Sequence, residues 1–247
     1  MAQHPTPEAR RDAATAVHSI HRFAISVPDL AAAKTEVMKD RVANTRLYRY
    51  WTVPGMDSAD STALDVGAMV LGGLASSRLD NALVREQKVA TSVSAGYQEF
   101  AQMGWFEVTA DVKAGEDVAA VSQKLDAVIA DFVKNGPTED EVKRVQMRTV
   151  SGRLAGLESV GGFGGKAVAL AEGELYLNDA DHYKKDLEEL AKVTPAEVKS
   201  TVSKWLNRPV YALTVEPGER APYEESAGKP NPAPGAAIAT EKRDPAP

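Results

Sequence analysis

The chain of 247 residues contains no cysteine, which excludes disulfides, thiolate catalysis and cysteine-bound zinc while leaving cytoplasm and periplasm equally open. Histidine is scarce, with only His4, His18, His21 and His182 in the whole chain. His18 and His21 stand three apart and can share a helical face. With no carboxylate close by, however, the pair reads as structural or solvent-exposed rather than as a metal site. Long apolar runs are missing too. The longest uncharged stretch, residues 66–77, is too short to span a bilayer, so no membrane partner is expected. A concentrated basic patch is also lacking. The net charge is −6, and nucleic acid is therefore not an expected partner.

What is present is a globular composition, 43% hydrophobic, enough for one large domain or two small ones. The ends read as connectors. Residues 1–33 form a partial N-terminal segment or linker, and residues 218–247 a Pro/Ala-rich linker or tail. Seven of the 14 prolines fall between Pro217 and Pro247. The stretch 34–217 carries the structure.

Residues 36–41 and 46–53 suggest an antiparallel pair around Ala43, Asn44 and Thr45, with Leu47, Trp51 and Val53 on one face and Tyr48 and Tyr50 on the other. Asp57, Ser58 and Asp60 offer caps for a helix carrying Leu64, Gly67, Ala68 and Leu71, which Gly72 and Gly73 should stop. A short helix burying Leu79, Ala82 and Leu83 follows. Residues 89–97 then alternate: Val89, Thr91, Val93, Ala95 and Tyr97 take one face, and Ala90, Ser92, Ser94 and Gly96 the other. The second face is all small, which fits either a tightly packed helix or the close approach of another backbone. Residues 105–112 make the next strand, with Phe106, Val108, Ala110 and Val112 inward.

Residues 117–135 have the spacing of an amphipathic helix through Val118, Val121, Leu125, Val128 and Phe132, with Gly136 as its C-terminal cap. Thr138 and Glu141 form a capping box for a helix whose Val142, Val145, Leu154 and Leu157 point to the core. Helices over 166–177, 181–192 and 195–206 and a strand over 210–215 complete the pattern. Strands and helices are grouped, which predicts an α+β fold with helices on one face of a largely antiparallel sheet.

The glycine cluster of residues 159–167 is not a phosphate loop. Val160 and Ala167 stand where a Walker motif needs glycine and Ser or Thr, and no strand precedes it for a dinucleotide site. Its setting fits a flexible or closely packed backbone.

One stretch is idiosyncratic. Residues 71–97, LGGLASSRLDNALVREQKVATSVSAGY, order a glycine pair, a Ser-Arg-Leu turn, a short helix, an Arg-Glu pair and an alternating strand. Downstream stand Gly136-Pro137-Thr138, the glycines Gly161, Gly162, Gly164 and Gly165, and Thr194-Pro195-Ala196-Glu197. Together these resemble the non-catalytic, C-terminal-type half-repeat of the pitrilysin/insulinase zinc metallopeptidases, the inverzincins, over roughly residues 37–217. The resemblance implies the metallohydrolase fold of the pitrilysin and mitochondrial processing peptidase type. It also implies a piece of a longer multi-domain peptidase, and it favours the periplasm, with any signal peptide lying outside this chain.

Enzymes of that family use a helical His-x-x-Glu-His motif, two histidines for zinc and a glutamate to activate water. No such motif exists here, so this chain has no catalytic or metal residues of its own and is expected to be inactive alone. The resemblance places zinc in a homologous domain of the same polypeptide or of a partner subunit, and makes a peptide the substrate. In related half-repeats an arginine holds peptide backbone and a tyrosine a few positions later steadies the oxyanion. Arg85 matches the arginine. Thr91 stands where the tyrosine would, after a connection one residue shorter, which leaves oxyanion stabilisation unsupported. Arg85, Thr91 and Ser92 are the expected substrate-binding residues, and an ion pair is the structural alternative for Arg85. The alternative function is a scaffold of the same fold without a proteolytic role. An independent small-molecule enzyme is disfavoured because no cluster of histidine, acid and nucleophile is visible.

Overall fold

A computed structural model describes residues 26–220. His4, His18 and His21 lie outside the described residues, as do the connector readings of residues 1–25 and 221–247. The fold is α+β. Five strands form one sheet: β1 (Lys34–Asp40), β2 (Arg46–Pro54), β3 (Ala90–Glu99), β4 (Met103–Val112) and β5 (Tyr211–Pro217), in the order β1-β5-β2-β4-β3. Only β1 and β5 run parallel.

The expected pairing of the first two strands is corrected here. β5 lies between them, parallel to β1 and antiparallel to β2, so β1 and β2 run in opposite directions without touching. Skipping one strand asks the five-residue connection to span about 10 Å, well within its reach. As an edge strand, β1 is mostly exposed and carries Lys34 and Lys39, charges that discourage pairing with another chain.

The helices pack on one face. They are α1 (Ser61–Ala68), α2 (Val118–Asn135), α3 (Glu139–Glu158), α4 (Lys166–Leu177), α5 (His182–Lys192) and α6 (Pro195–Leu206). Asp117 caps α2 by accepting from the Ala119 amide at 2.9 Å, and Gly136 ends it at φ 72°, a left-handed geometry that favours glycine. Thr138 with Glu141 and Thr194 with Glu197 form complete capping boxes on α3 and α6. Leu47, Trp51 and Val53 of β2, Phe106, Val108 and Ala110 of β4, and Leu125 and Phe132 of α2 join one buried core.

Gly72 and Gly73 end the helical run as expected, although its last turn, Met69–Gly73, is π-helical; Leu74 is already extended. Two local expectations are also corrected. The second short helix is π-helical as well, Asp80–Glu86. Leu154 is 51% exposed, because α3 buries only Val142 and Val145, both in its first half. Arg49 joins the inward face of β2 at 5% exposure. Its guanidinium is satisfied by Asp126 at 2.8 and 3.0 Å and by Ser122 at 2.7 Å, a bidentate pair that makes burial of the charge affordable.

Candidate functional site

β3 is the second edge of the sheet, so among the described residues one rim of its backbone has no strand partner. Its position is set by the π-helical turn beneath it. A Cβ on Gly72 would lie 2.3 Å from the Ala95 amide nitrogen, so only glycine lets the two backbones approach so closely. The second π-helical segment feeds directly into the strand, and the Val89 amide closes it on the Leu83 carbonyl at 2.9 Å.

The alternation along β3 breaks near its start. Ala90 pairs with Val112 and Ser92 with Asp111, leaving Thr91 as the extra residue of a bulge. Ala90 therefore turns into the core with Val93, Ala95 and Tyr97, while Thr91 is exposed and does not share their face. The small-residue face is then Ser92, Ser94 and Gly96. Among the described residues no helix covers it, and a Cβ on Gly96 would meet nothing within 4 Å. Among the described residues, then, the tight-helix reading of that face has no helix to carry it. Tyr97 lies on the buried side and donates to the Pro54 carbonyl at 2.8 Å.

Thr91 and Ser92 converge on one residue. The Ser92 hydroxyl donates to Asp111 Oδ2 at 2.8 Å, and the Thr91 hydroxyl to the Asp111 carbonyl at 3.3 Å. Arg46, directly opposite Asp111 across β2 and β4, grips the same carboxylate through Nε and, at 3.0 Å, through Nη2. The Arg46 guanidinium, with help from Ser92 and against a smaller effect of burial, holds the Asp111 carboxyl below its ordinary range. Further along, the hydroxyls of Ser94 and Thr109 meet at 2.7 Å. Tyr48 and Tyr50 stack at 5.7 Å with Tyr211 beyond at 6.3 Å, and the Tyr211 hydroxyl donates to Glu36 at 2.9 Å. The outer face of the sheet is thus a half-exposed floor of hydroxyls, tyrosine rings and paired charges.

Arg85 stands apart from this floor. It lies on the second π-helical segment, where Nε meets Asp80 Oδ2 at 2.5 Å and Nη2 donates to the Ala75 carbonyl. Its side chain is 58% exposed and bonds to neither Thr91 nor Ser92. Arg46, Asp111, Thr109 and the tyrosines were absent from the expected site. Alternation in β2 and β4 places Arg46, Tyr48, Tyr50, Thr109 and Asp111 on the outward face, but only strand pairing shows that Asp111 meets Ser92 and Thr109 meets Ser94.

The residues do not fit zinc. Among the described residues no group of three or more histidine or carboxylate side chains is placed to hold a metal ion. His182 meets Asp186 at 3.0 Å and Asp179 only at 4.0 Å. In the glycine loop ahead of α4 a Cβ on Gly165 would lie 2.4 Å from the Gly161 carbonyl oxygen, while Gly161, Gly162 and Gly164 face open space and Phe163 is fully exposed. No described helix is long and apolar enough to cross a membrane.

The family model for the peptidase M16 inactive domain matches residues 15–149. No curated protein matches the chain in sequence. Among solved structures, the peptidase M16 inactive domain from Pseudomonas fluorescens superposes with a TM-score of 0.67 at 20% identity, over 81% of this chain and 48% of that one. A protease from Helicobacter pylori gives 0.68 at 18% identity, over 87% and 53%. The inactive peptidase domain of a candidate zinc protease from Bordetella parapertussis gives 0.63 at 19%, over 76% and 98%. The chain thus spans about half the length of the first two and nearly all of the third.

Proposed function

This chain belongs to the peptidase M16 inactive-domain family, and from that premise we propose that it supplies chamber wall and peptide-binding surface to a zinc metallopeptidase. Zinc and general base come from a homologous domain in the same polypeptide or in a partner subunit. The domain runs over residues 34–217. The observation that carries this reading is the open floor of the sheet beside an unpaired edge strand. Ser92 and Ser94 offer hydroxyls there, Gly96 leaves room for another backbone, and the tyrosines offer rings to side chains of an extended peptide. Arg85, exposed at the end of its helical segment, is positioned to leave Asp80 for a peptide carbonyl, an exchange of one polar partner for another.

The direct experiment is peptide hydrolysis with zinc by this chain alone and mixed with the motif-bearing half, with a chelator control. Activity only in the mixture is the expected outcome. Chelator-sensitive activity of the chain alone would overturn the proposal. Association without activity would favour a scaffold role, the reading favoured by Thr91 in place of a tyrosine and by the local clamp on Arg85.

A further inference from the structure

A cavity of about 540 Å³ opens on the helical side of the sheet, between β2, the second half of α2 and the end of α6. It lies behind the floor described above, since Arg49 and Trp51 line it from the inward face of β2 while Tyr48 and Tyr50 point outward. Ile129 and Val133 of α2, Leu206 of α6 and Val210, just ahead of β5, give it apolar walls. The volume is that of a small-molecule site.

Most polar groups on these walls already have partners. Arg49 gives Nε and Nη2 to Asp126, and Nη1 to the Tyr48 carbonyl at 3.0 Å. The Ser203 hydroxyl donates to the Val133 carbonyl and the Asn207 amide to the Ser203 carbonyl, each at 2.7 Å. One donor is left over. Trp51 is 5% exposed, its ring sits edge-on to Phe106 at 6.3 Å, and its indole N–H meets no acceptor among the described residues. Folded interiors seldom leave a buried donor unmatched, because it has lost its water and gained nothing in return.

Charge narrows the choice of acceptor. Arg49 and Asp126 cancel as an ion pair, whereas Lys134, exposed at the rim, has no carboxylate partner among the described residues. The lining therefore carries one unbalanced positive charge. We propose that this cavity binds a small monocarboxylate with an aliphatic body. The indole can only donate, so the ligand atom that meets it must be an acceptor. The positive charge selects an anionic acceptor over a neutral carbonyl, and the four apolar side chains receive the aliphatic part. The site is on the opposite face of β2 from the floor and stands whether or not that floor binds peptide.

The test is calorimetric titration of the full chain with decanoate, with decylamine and acetate as controls. Decanoate should saturate a single site, and decylamine and acetate should each bind at least about tenfold more weakly. Trp51→Phe keeps a ring in place and deletes the N–H; it should weaken decanoate about tenfold, and Lys134→Ala severalfold. Absence of saturable binding, equal binding of decylamine, or unchanged affinity in either variant would overturn the proposal. If Trp51→Phe does not fold, Ala130→Leu, at an exposed lining position of α2, takes its place: the larger side chain should crowd the cavity and weaken decanoate to a similar degree, and unchanged affinity would overturn the proposal.

Discussion

Arg85 and Asp80 hold each other within one helical segment, Nε to Oδ2 at 2.5 Å, in front of the strand proposed to face peptide. Because the guanidinium is more than half exposed, such a pair contributes at most about 1 kcal/mol to stability. Arg85→Ala should therefore leave the melting temperature nearly unchanged while weakening peptide binding or turnover by the reconstituted enzyme. Equal loss of both would make Arg85 a structural ion pair, and loss of neither would remove it from the site.

Ser92 tests the floor of the sheet. A leucine there would project from the uncovered face beside Asp111, so Ser92→Leu should block association with the zinc-bearing half. The domain itself should stay folded, since the core face of β3 is untouched and one exposed hydroxyl contact contributes only about 1 kcal/mol. Pull-down and thermal unfolding read the two effects separately; unimpaired association would remove the docking surface from this face.

Gly72→Ala addresses the platform under the strand. The added methyl would sit 2.3 Å from the Ala95 nitrogen and 2.6 Å from the Ser94 carbonyl carbon, both backbone atoms of β3. One of the two segments must shift, at a cost of about 1–3 kcal/mol or more, readable by denaturant unfolding. A variant as stable as the parent would show that the approach is not tight.

The sequence displayed the elements whose signals are local. α2 is bounded by Asp117 and Gly136, and the capping boxes of α3 and α6 put both partners within three residues. The inward face of β4 follows from strict alternation. Features that depend on distant chain segments were not legible. β5, some 170 residues after β1, inserts beside it, and nothing in the short connection from β1 to β2 announces that. The bulge at Thr91 shifts alternation by one residue, which propensity cannot register. Alternation puts Arg49 on the same face as Leu47 and Trp51, but nothing local names Asp126 of α2 as the partner that receives its charge. At the site, Ser92 was legible as part of a small-residue face, but its exposure required the helix placement and its partner Asp111 the strand register.

Glu141 gives a prediction in pH. Burial alone would push its carboxyl up, but Arg78 donates to it at 2.9 Å and the Thr138 amide at 2.7 Å, and together they hold it down to about 2. Arg78 also donates to the Gly136 carbonyl at 2.8 Å and lies 5.2 Å from the Phe132 ring, so this carboxylate anchors a cation that clasps the end of α2 to the start of α3. A carboxyl depressed in the folded state contributes stability that is fully present above its ordinary 4.5 and is lost as pH falls through about 2. Acid unfolding followed by circular dichroism should show this loss in the parent. Glu141→Gln, which cannot ionise, should be less stable at neutral pH, because Arg78 then lacks its counter-charge, and should lose less on acidification over that window. If both proteins lose stability at the same rate, the clasp does not depend on the charge of Glu141, and the hydrogen bond from Arg78 to the Gly136 carbonyl must hold the two helices together by itself.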